Sequence, residues 1–292
     1  MLTEEPSQQT SWVSSEERAE PPATAPNGMP EPPALPETDW LGWLDVTKAF
    51  GLWVVSILIL VFVPLLVAAP YLVYKVFAFG QAAILPEALK SDKMLIFYSV
   101  VGIVPAHLLT LYLAYLVVTD GGKRPFWRSI RWEWPSGYTP TIVTLLSILM
   151  AVMLYGIAFG VTSLYGGEKT DLDMLIESSA YTRVATAFIA FATAPLIEEV
   201  VYRGVVYPAL EKVLGMGFAI TVVSLLFAGV HVFQYRSNVA VIVVITLLSI
   251  TLTVARAVTG RLIPSFIIHL VFNGVQSVLI VLGPILEKHV GK

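Results

Sequence analysis

Residues 52–70 of this 292-residue chain read LWVVSILILVFVPLLVAAP, and this stretch decides the fold class. It contains no charged side chain, and about 20 apolar residues in a row are enough for a helix to cross the hydrocarbon core of a bilayer. The surrounding apolar span extends over residues 49–74. The sequence therefore predicts a transmembrane helix here.

Six further apolar spans follow along the chain. Because the hydrocarbon core holds no water, each span has to satisfy its own backbone polar groups, which favours helices. We expect an all-α fold, a polytopic transmembrane helical bundle of about seven to eight helices. The further spans lie at about 94–118, 141–166, from Ala185 onward, 214–235, 238–258 and 262–286.

The composition agrees with this fold class and excludes several functions. Hydrophobic residues make up 56% of the chain and charged residues 13%, which is about half the charged share of an ordinary soluble domain. The sequence has no basic stripe of the kind that binds nucleic acid. It also has no cysteine, which excludes disulfides, iron–sulfur clusters and thiol nucleophiles.

The start of the chain differs from the rest. Residues 1–39 are rich in Pro, Glu, Ser and Thr, and they contain eight of the 19 prolines. Such a segment has too little apolar surface to offset the entropy lost on ordering, so we expect a disordered N-terminal tail. Residues 40–48 contain Trp40 and Trp43, and paired tryptophans are typical of an interfacial segment at the lipid headgroups.

The distribution of basic residues predicts the orientation. The loop between the second and third spans has the densest basic cluster, and the positive-inside rule places such a loop in the cytoplasm. Alternation of the spans then places the N-terminus in the cytoplasm too, which Lys212 and Arg261 support and three lysines oppose. The cluster consists of Lys123, Arg124, Arg128 and Arg131, and the opposing lysines are Lys75, Lys90 and Lys93.

Ionisable residues within the spans are the main functional signal. A charge at the bilayer centre costs about 2.5–3.5 kcal/mol on insertion scales, yet the last four spans hold several such residues. The first three spans hold His107 alone. We interpret His107 as a packing residue, and Arg256 as a side chain that extends to the headgroups.

The fourth span carries the stretch EEVVYR at residues 198–203. Glu199 and Arg203 are four residues apart and share one helix face, where they can form an ion pair. Glu198 lies about 100° around the helix, given 3.6 residues per turn, and can face a cavity. The spacing thus predicts one structural carboxylate and one carboxylate that is free for chemistry.

Two histidines occur on later spans, each with a notable neighbour four residues away. His231 shares a helix face with Phe227, and His269 shares a face with Asn273. A rise of 1.5 Å per residue places Glu198 and His269 at about the same depth, and His231 about 10 Å deeper.

These residues support two chemistries, and the composition does not decide between them. Glu198 and His231 could activate one water as a general-base pair, with His269 and Asn273 donating to a developing oxyanion. Alternatively, Glu198, His231 and His269 could hold a zinc ion with a position left for water. The HExxH and GxSxG signatures are absent.

The three stretches together resemble the CAAX prenyl endopeptidase type II family, also called CPBP or ABI intramembrane proteases. Residues 198–203 correspond to its EExxxR motif, residues 227–231 to FxxxH and residues 269–273 to HxxxN. The motifs occur in the family's order, each on its own apolar span. The resemblance covers roughly residues 140–285.

The resemblance implies a role for each motif residue. Glu198 and His231 would activate the water, and His269 and Asn273 would form the oxyanion hole in a site that opens toward the cytoplasm. The residues implied to support the site are Glu199, Arg203 and Phe227.

The resemblance also implies the function. We expect a hydrolase, an intramembrane endopeptidase that cleaves a membrane-anchored or lipidated peptide near the cytoplasmic face of a bacterial inner membrane. Residues 49–135 would form N-terminal transmembrane helices, and residues 140–286 the protease core. Its partners would be membrane lipid and peptide, without nucleic acid, and zinc is the one cofactor that the residues could hold.

Two alternatives to a peptidase stay open at this point. The first is a non-catalytic membrane protein of the same fold that acts in binding or in bacteriocin immunity. The second is a proton-coupled transporter or a haem protein, since intramembrane Glu and His can relay protons or bind iron. A transporter would more often show repeated halves, and we find no internal repeat in the sequence.

Overall fold

The structure, a computed structural model, describes residues 43–166 and 168–290, and within these ranges it is helical without a β-strand. The expected disordered tail over residues 1–39 lies outside the described residues, as do residues 40–42. The helices are α1 (Trp43–Phe79), α2 (Lys93–Val101), α3 (Ile103–Val118), α4 (Pro140–Tyr165), α5 (Asp171–Ser178), α6 (Ala180–Leu214), α7 (Met216–Tyr235), α8 (Val239–Thr259) and α9 (Ile263–Val290), with shorter turns at Gln81–Ile84, Pro86–Lys90 and Phe126–Ser129.

The apolar spans predicted from the sequence are all helical. Among the described residues, six segments are long and apolar enough to cross a membrane. The fifth predicted span is α7, whose apolar part, Met216–Val232, is shorter. The prediction of an all-α, polytopic transmembrane bundle is thereby confirmed. The six segments are Asp45–Phe79, Lys93–Val118, Pro140–Tyr165, Ala180–Leu214, Val239–Thr259 and Ile263–Pro284.

The surface of the bundle is apolar, unlike that of a water-soluble protein. Large apolar side chains such as Leu66, Phe77 and Phe159 are mostly exposed, whereas Glu199 and Arg203 are fully buried. A bundle in lipid has this arrangement because the hydrocarbon solvates apolar side chains and charged groups need protein partners. The chain is therefore an integral membrane protein.

Helices α2 and α3 divide the second predicted span at Gly102, where it packs against α1. A Cβ atom at Gly102 would lie 2.6 Å from Cα of Pro64, which is closer than any side chain could come. Glycine is therefore required for the two backbones to approach this closely. The contact fixes α3, which carries His107, against the first helix.

One end of the bundle is closed by contacts between loops and helix ends. The backbone N–H of Leu262 donates to the carbonyl oxygen of Arg131 at 2.9 Å, and Arg261 forms an ion pair with Glu133. The α3–α4 and α8–α9 loops therefore lie at the same end. A core cluster joins this end to the starts of α1 and α9, and it includes Ala49, Val118, Ile130, Val205 and Leu262.

Helix α6 departs from regular α-helical geometry in two places. Ile189–Thr193 and Glu199–Val206 are π-helical, and Ala194–Glu198 between them is α-helical. Pro195, which has no backbone N–H to donate, lies in this short α-helical stretch. Single π-helical turns occur frequently at functional sites, and in this chain the second π-helical segment contains residues 199–203 of the EEVVYR stretch.

Candidate active site

The ion pair predicted between Glu199 and Arg203 lies in the interior of the bundle. Nη1 of Arg203 donates to Oε1 of Glu199 at 3.0 Å, and neither side chain has exposed surface. On α8, Arg203 also donates to the carbonyl O and Oγ of Ser249, at 3.0 and 2.8 Å, and to Oγ1 of Thr253 at 3.2 Å. A buried guanidinium needs such partners for its N–H groups. The pair therefore joins α6 to α8.

His269 on α9 is bound to the same carboxylate. Its Nδ1 lies 3.0 Å from Oε1 of Glu199, and its Nε2 lies 3.6 Å from Oε2 of Glu198. Because an ionised carboxylate only accepts hydrogen bonds, Nδ1 carries the hydrogen in this contact. The imidazole is thus oriented by Glu199, and its Nε2 edge faces Glu198.

Glu198 points into an internal cavity. Its side chain is 25% exposed, whereas that of Glu199 has no exposed surface. The cavity has a volume of about 260 Å³, and its lining includes Glu198, His231, His269 and Asn273. The four residues that the sequence singled out for chemistry therefore surround one space.

His231 on α7 presents one ring nitrogen to this cavity and has the other fixed. Its Nδ1 lies 2.7 Å from the carbonyl oxygen of Phe227 and donates to it, which leaves Nε2 as an acceptor in the neutral ring. The depth count placed His231 about 10 Å below Glu198. The two residues line the same cavity, and α6 departs from the regular helix that the count assumes.

Phe227 connects both histidines to the buried ion pair. Its ring centroid lies 4.8 Å from that of His231 and 5.9 Å from that of His269. The guanidinium carbon of Arg203 lies 4.7 Å from the same centroid, within the range of a cation–π contact. The Tyr202 ring packs edge-on against Phe227 at 5.1 Å. The position of this one ring therefore affects several site residues.

Asn273 ties α9 to the first π-helical segment of α6. Its Nδ2 donates to the carbonyl oxygen of Ala190 at 3.0 Å. An amide nitrogen carries two hydrogens, so one remains for a ligand in the cavity. Asn273 can therefore hold the helix and donate to a bound group at the same time.

His107 belongs to the cavity as well, although we interpreted it from the sequence as a packing residue. It lines the same space as Glu198 and is 8% exposed. Its Nδ1 lies 2.8 Å from Oγ1 of Thr193 in the first π-helical segment. One signal was available in the sequence, since His107 is the lone ionisable residue in the first three apolar spans.

Arg256 lies in the protein interior and not at the headgroups, so the sequence interpretation was wrong. It is 3% exposed, and its Nε donates to the carbonyl oxygen of Arg203 at 3.2 Å. Its guanidinium carbon lies 5.6 Å from the centroid of the Tyr207 ring. The backbone of the irregular helix α6 provides a partner that no periodicity argument reveals.

The residues considered as zinc ligands do not form a metal site as they are arranged. Over residues 43–166 and 168–290, no group of three or more His, Asp or Glu side chains is placed to hold a metal ion. Nδ1 of His231 is bound to a backbone carbonyl and Nδ1 of His269 to Glu199, which leaves Nε2 of each neutral ring without a hydrogen. A histidine that binds a metal through Nε2 has its Nδ1 bonded in the same way.

Comparison with known proteins gave one match. Residues 180–275 match the family model described as type II CAAX prenyl endopeptidase Rce1-like. No curated protein and no solved structure matches the chain. The matched range contains the three motifs, from the EEVVYR stretch to Asn273. The resemblance drawn from the motifs is confirmed over residues 180–275, which match the Rce1-like type II CAAX prenyl endopeptidase family.

Proposed function

We propose that this chain is an intramembrane endopeptidase that hydrolyses a peptide bond of a membrane-anchored or lipidated substrate with a water activated by Glu198 and His231. The observation that carries the proposal is the cavity in which Glu198 faces His269 at 3.6 Å and shares the lining with His231 and Asn273. A carboxylate and an imidazole acceptor at one buried space are the groups that general-base hydrolysis needs.

The first step is attack by water. One O–H of the water donates to Glu198 and the other to Nε2 of His231, which is an acceptor because Nδ1 donates to Phe227. As the water oxygen bonds to the carbonyl carbon of the substrate, its proton passes to Glu198. The carbonyl π electrons move to the oxygen, which becomes an oxyanion.

The oxyanion is stabilised by donors from α9. Asn273 contributes the amide hydrogen that the Ala190 carbonyl does not use. His269 contributes Nε2 when that nitrogen is protonated, and Glu199 compensates the resulting imidazolium through its contact with Nδ1. Preorganised donors of this kind lower the barrier most where water is excluded.

The second step breaks the C–N bond. Glu198 returns its proton to the substrate nitrogen, the oxyanion electrons re-form the carbonyl, and the amine leaves. The products are a carboxylic acid and an amine, and Glu198 is again ionised. Glu199 and Arg203 take no part in proton transfer, and they hold His269 and α8 in place.

We place the site near the cytoplasmic face of a bacterial plasma membrane, with the N-terminus in the cytoplasm. Support comes from the basic α3–α4 loop, in which Arg131 accepts a backbone hydrogen bond from Leu262. This contact puts the α8–α9 loop on the same side as the basic cluster, as the positive-inside rule requires.

The test uses the purified protein in lipid nanodiscs with a pool of peptides that carry acyl or isoprenyl chains. We expect wild type to cleave, and Glu198→Gln to lower the turnover by about 10²–10⁴-fold, the usual contribution of a general base. Glu87→Gln, an exposed carboxylate outside the spans, serves as control. Unchanged cleavage by Glu198→Gln would refute the mechanism, and no cleavage by wild type would favour the non-catalytic binding function.

A further inference from the structure

One buried histidine of the cavity has no role in the proposed reaction steps. His107 on α3 is 8% exposed and lines the space that also holds Glu198 and His231. It approaches that space from a helix that carries none of the three sequence motifs. His107 is therefore a cavity residue whose function the motifs do not explain.

The ring of His107 is anchored through one nitrogen and open at the other. Nδ1 lies 2.8 Å from Oγ1 of Thr193, whose hydroxyl donates to the carbonyl oxygen of Ile189 at 3.3 Å. With the one hydroxyl hydrogen of Thr193 on the Ile189 carbonyl, Oγ1 accepts and Nδ1 of His107 donates in the tautomer that we assign to this ring. The Nε2 atom is then an acceptor, and no described residue provides it with a hydrogen-bond partner.

The other residues that the first three helices contribute to the cavity lining are apolar. They are Leu60, Val100 and Ile103. A peptide that enters from the membrane brings backbone N–H groups that have no water to bond, and each unpaired group is costly in such surroundings. His107 offers the acceptor that this part of the lining otherwise lacks.

We propose that His107 is a substrate-binding residue, and that its Nε2 accepts a hydrogen bond from a backbone N–H of the bound peptide. The proposal rests on the proposed function, because it supposes that a peptide occupies the cavity. His107 makes no proton transfer in this scheme. It sets the position of the substrate backbone relative to Glu198 on α6, the helix that also carries Thr193.

The first test asks whether His107 faces the cavity, and it needs no substrate. Because the chain has no cysteine, a single His107→Cys variant can be labelled in nanodiscs with a charged, water-soluble methanethiosulfonate reagent. Leu108→Cys, on the exposed surface of α3, and Ala114→Cys, fully buried on the same helix, are the controls. We expect labelling of His107→Cys and of neither control, and failure to label His107→Cys would overturn the proposal.

The second test measures cleavage of the lipidated peptides by His107→Phe and His107→Gln. Loss of one hydrogen bond to substrate should raise KM by up to about tenfold in His107→Phe and leave kcat near that of wild type, since the contact is present in both ground and transition state. Glutamine keeps an acceptor and should restore part of the affinity. A wild-type KM in His107→Phe, or a fall in kcat alone, would overturn the proposal.

The two tests separate this proposal from the proposed function. If wild type cleaves nothing but His107→Cys is labelled, hydrolysis fails while the position of His107 in the cavity stands. If wild type cleaves and the KM of His107→Phe is unchanged, hydrolysis stands and the role of His107 fails. Thr193→Val removes the anchor of the ring without removing the ring, and it should raise KM less than His107→Phe does.

Discussion

Nδ1 of His269 lies 3.0 Å from Oε1 of Glu199, so a residue on the last helix is oriented by the carboxylate next to the proposed base. The same oxygen accepts a hydrogen bond from Arg203. One buried oxygen atom thus links His269, the proposed oxyanion donor, to the ion pair. The two adjacent glutamates have different surroundings because their side chains leave the helix in different directions.

Replacement of Glu199 by Gln should affect both stability and activity. It leaves the Arg203 cation buried without its counter-charge. Removing one partner of a buried ion pair lowers the free energy of unfolding by about 3–5 kcal/mol. His269 also loses the acceptor that orients it, so we expect kcat to fall by about 10²–10³-fold. Thermal unfolding and turnover in nanodiscs measure both effects.

A matched control for this variant is Glu177→Gln. Glu177 pairs with Lys169 on the exposed surface, where solvent screens the charges and pairs contribute little. A Glu199→Gln protein that unfolds and turns over like Glu177→Gln would contradict the structural role assigned to the buried pair.

Arg203→Lys should destabilise the protein even though the charge is kept. The guanidinium reaches Glu199, Ser249 and Thr253 through three different nitrogens, and a single ammonium cannot reproduce this geometry. We expect a clear drop in the unfolding temperature, with the α6–α8 contact most affected. Hydrogen exchange along α8 would locate the loss, and unaltered protection there would argue against the expected mechanism.

Phe227→Leu tests whether the aromatic ring positions the two histidines. The substitution removes the cation–π contact with Arg203, worth about 0.5–2 kcal/mol, and the ring contacts with His231 and His269. We expect kcat to fall more than KM rises. Phe218→Leu on the exposed face of α7 is the control, and equal kinetics for the two variants would show that the ring is dispensable.

Treatment with a chelator tests whether the reaction proceeds without a metal ion. The described part of the chain has no group of three ligands arranged for a metal ion, so we expect activity to survive prolonged exposure to a strong chelator. Elemental analysis of the purified protein should find less than one zinc per chain. Loss of activity on chelation, with recovery on adding zinc, would instead make Glu198, His231 and His269 a metal site that forms on binding.

Stability should depend on pH through Asp92, which precedes α2 outside the spanning segments. Burial would raise the pKa of Asp92, but the Lys75 ion pair and the backbone N–H of Leu95 outweigh it, and the pKa is lowered overall. A lowered folded pKa stabilises the protein above the unfolded value of about 3.9, and this contribution disappears as pH falls through the folded pKa.

Asp92→Asn should therefore unfold at a lower temperature than wild type at neutral pH. The difference between the two proteins should shrink as the pH falls below about 4. Thermal unfolding over a pH series measures it. A difference that stays constant down to the lowest pH would mean that the charge of Asp92 does not contribute.

The sequence predicted the parts of the site that depend on spacing along one helix. The pairing of Glu199 with Arg203 follows from a separation of four residues, and it holds in the structure although part of the stretch is π-helical. The freedom of Glu198 to face a cavity follows from its place next to Glu199. Local geometry is sufficient for both predictions.

The predictions that failed concern side chains whose partners lie on a different helix. Arg256 is held by a backbone carbonyl of α6, and His107 by a hydroxyl on the same helix. Neither partner is near in sequence, and both contacts involve π-helical segments that no hydrophobic period indicates.

The two π-helical segments of α6 have a consequence for the angular phase of this helix. Each i→i+5 turn accommodates one more residue than an α-helical turn, so Ile189–Thr193 acts as an insertion absorbed without a loop. If the same residues formed a regular α-helix, everything beyond them would rotate by about 100°, and Glu198 would turn out of the cavity. Deleting one residue there, for example Ala192, should let the helix become regular while Glu198 keeps its direction. The π-helical segment therefore preserves the angular position of the carboxylate despite one additional residue.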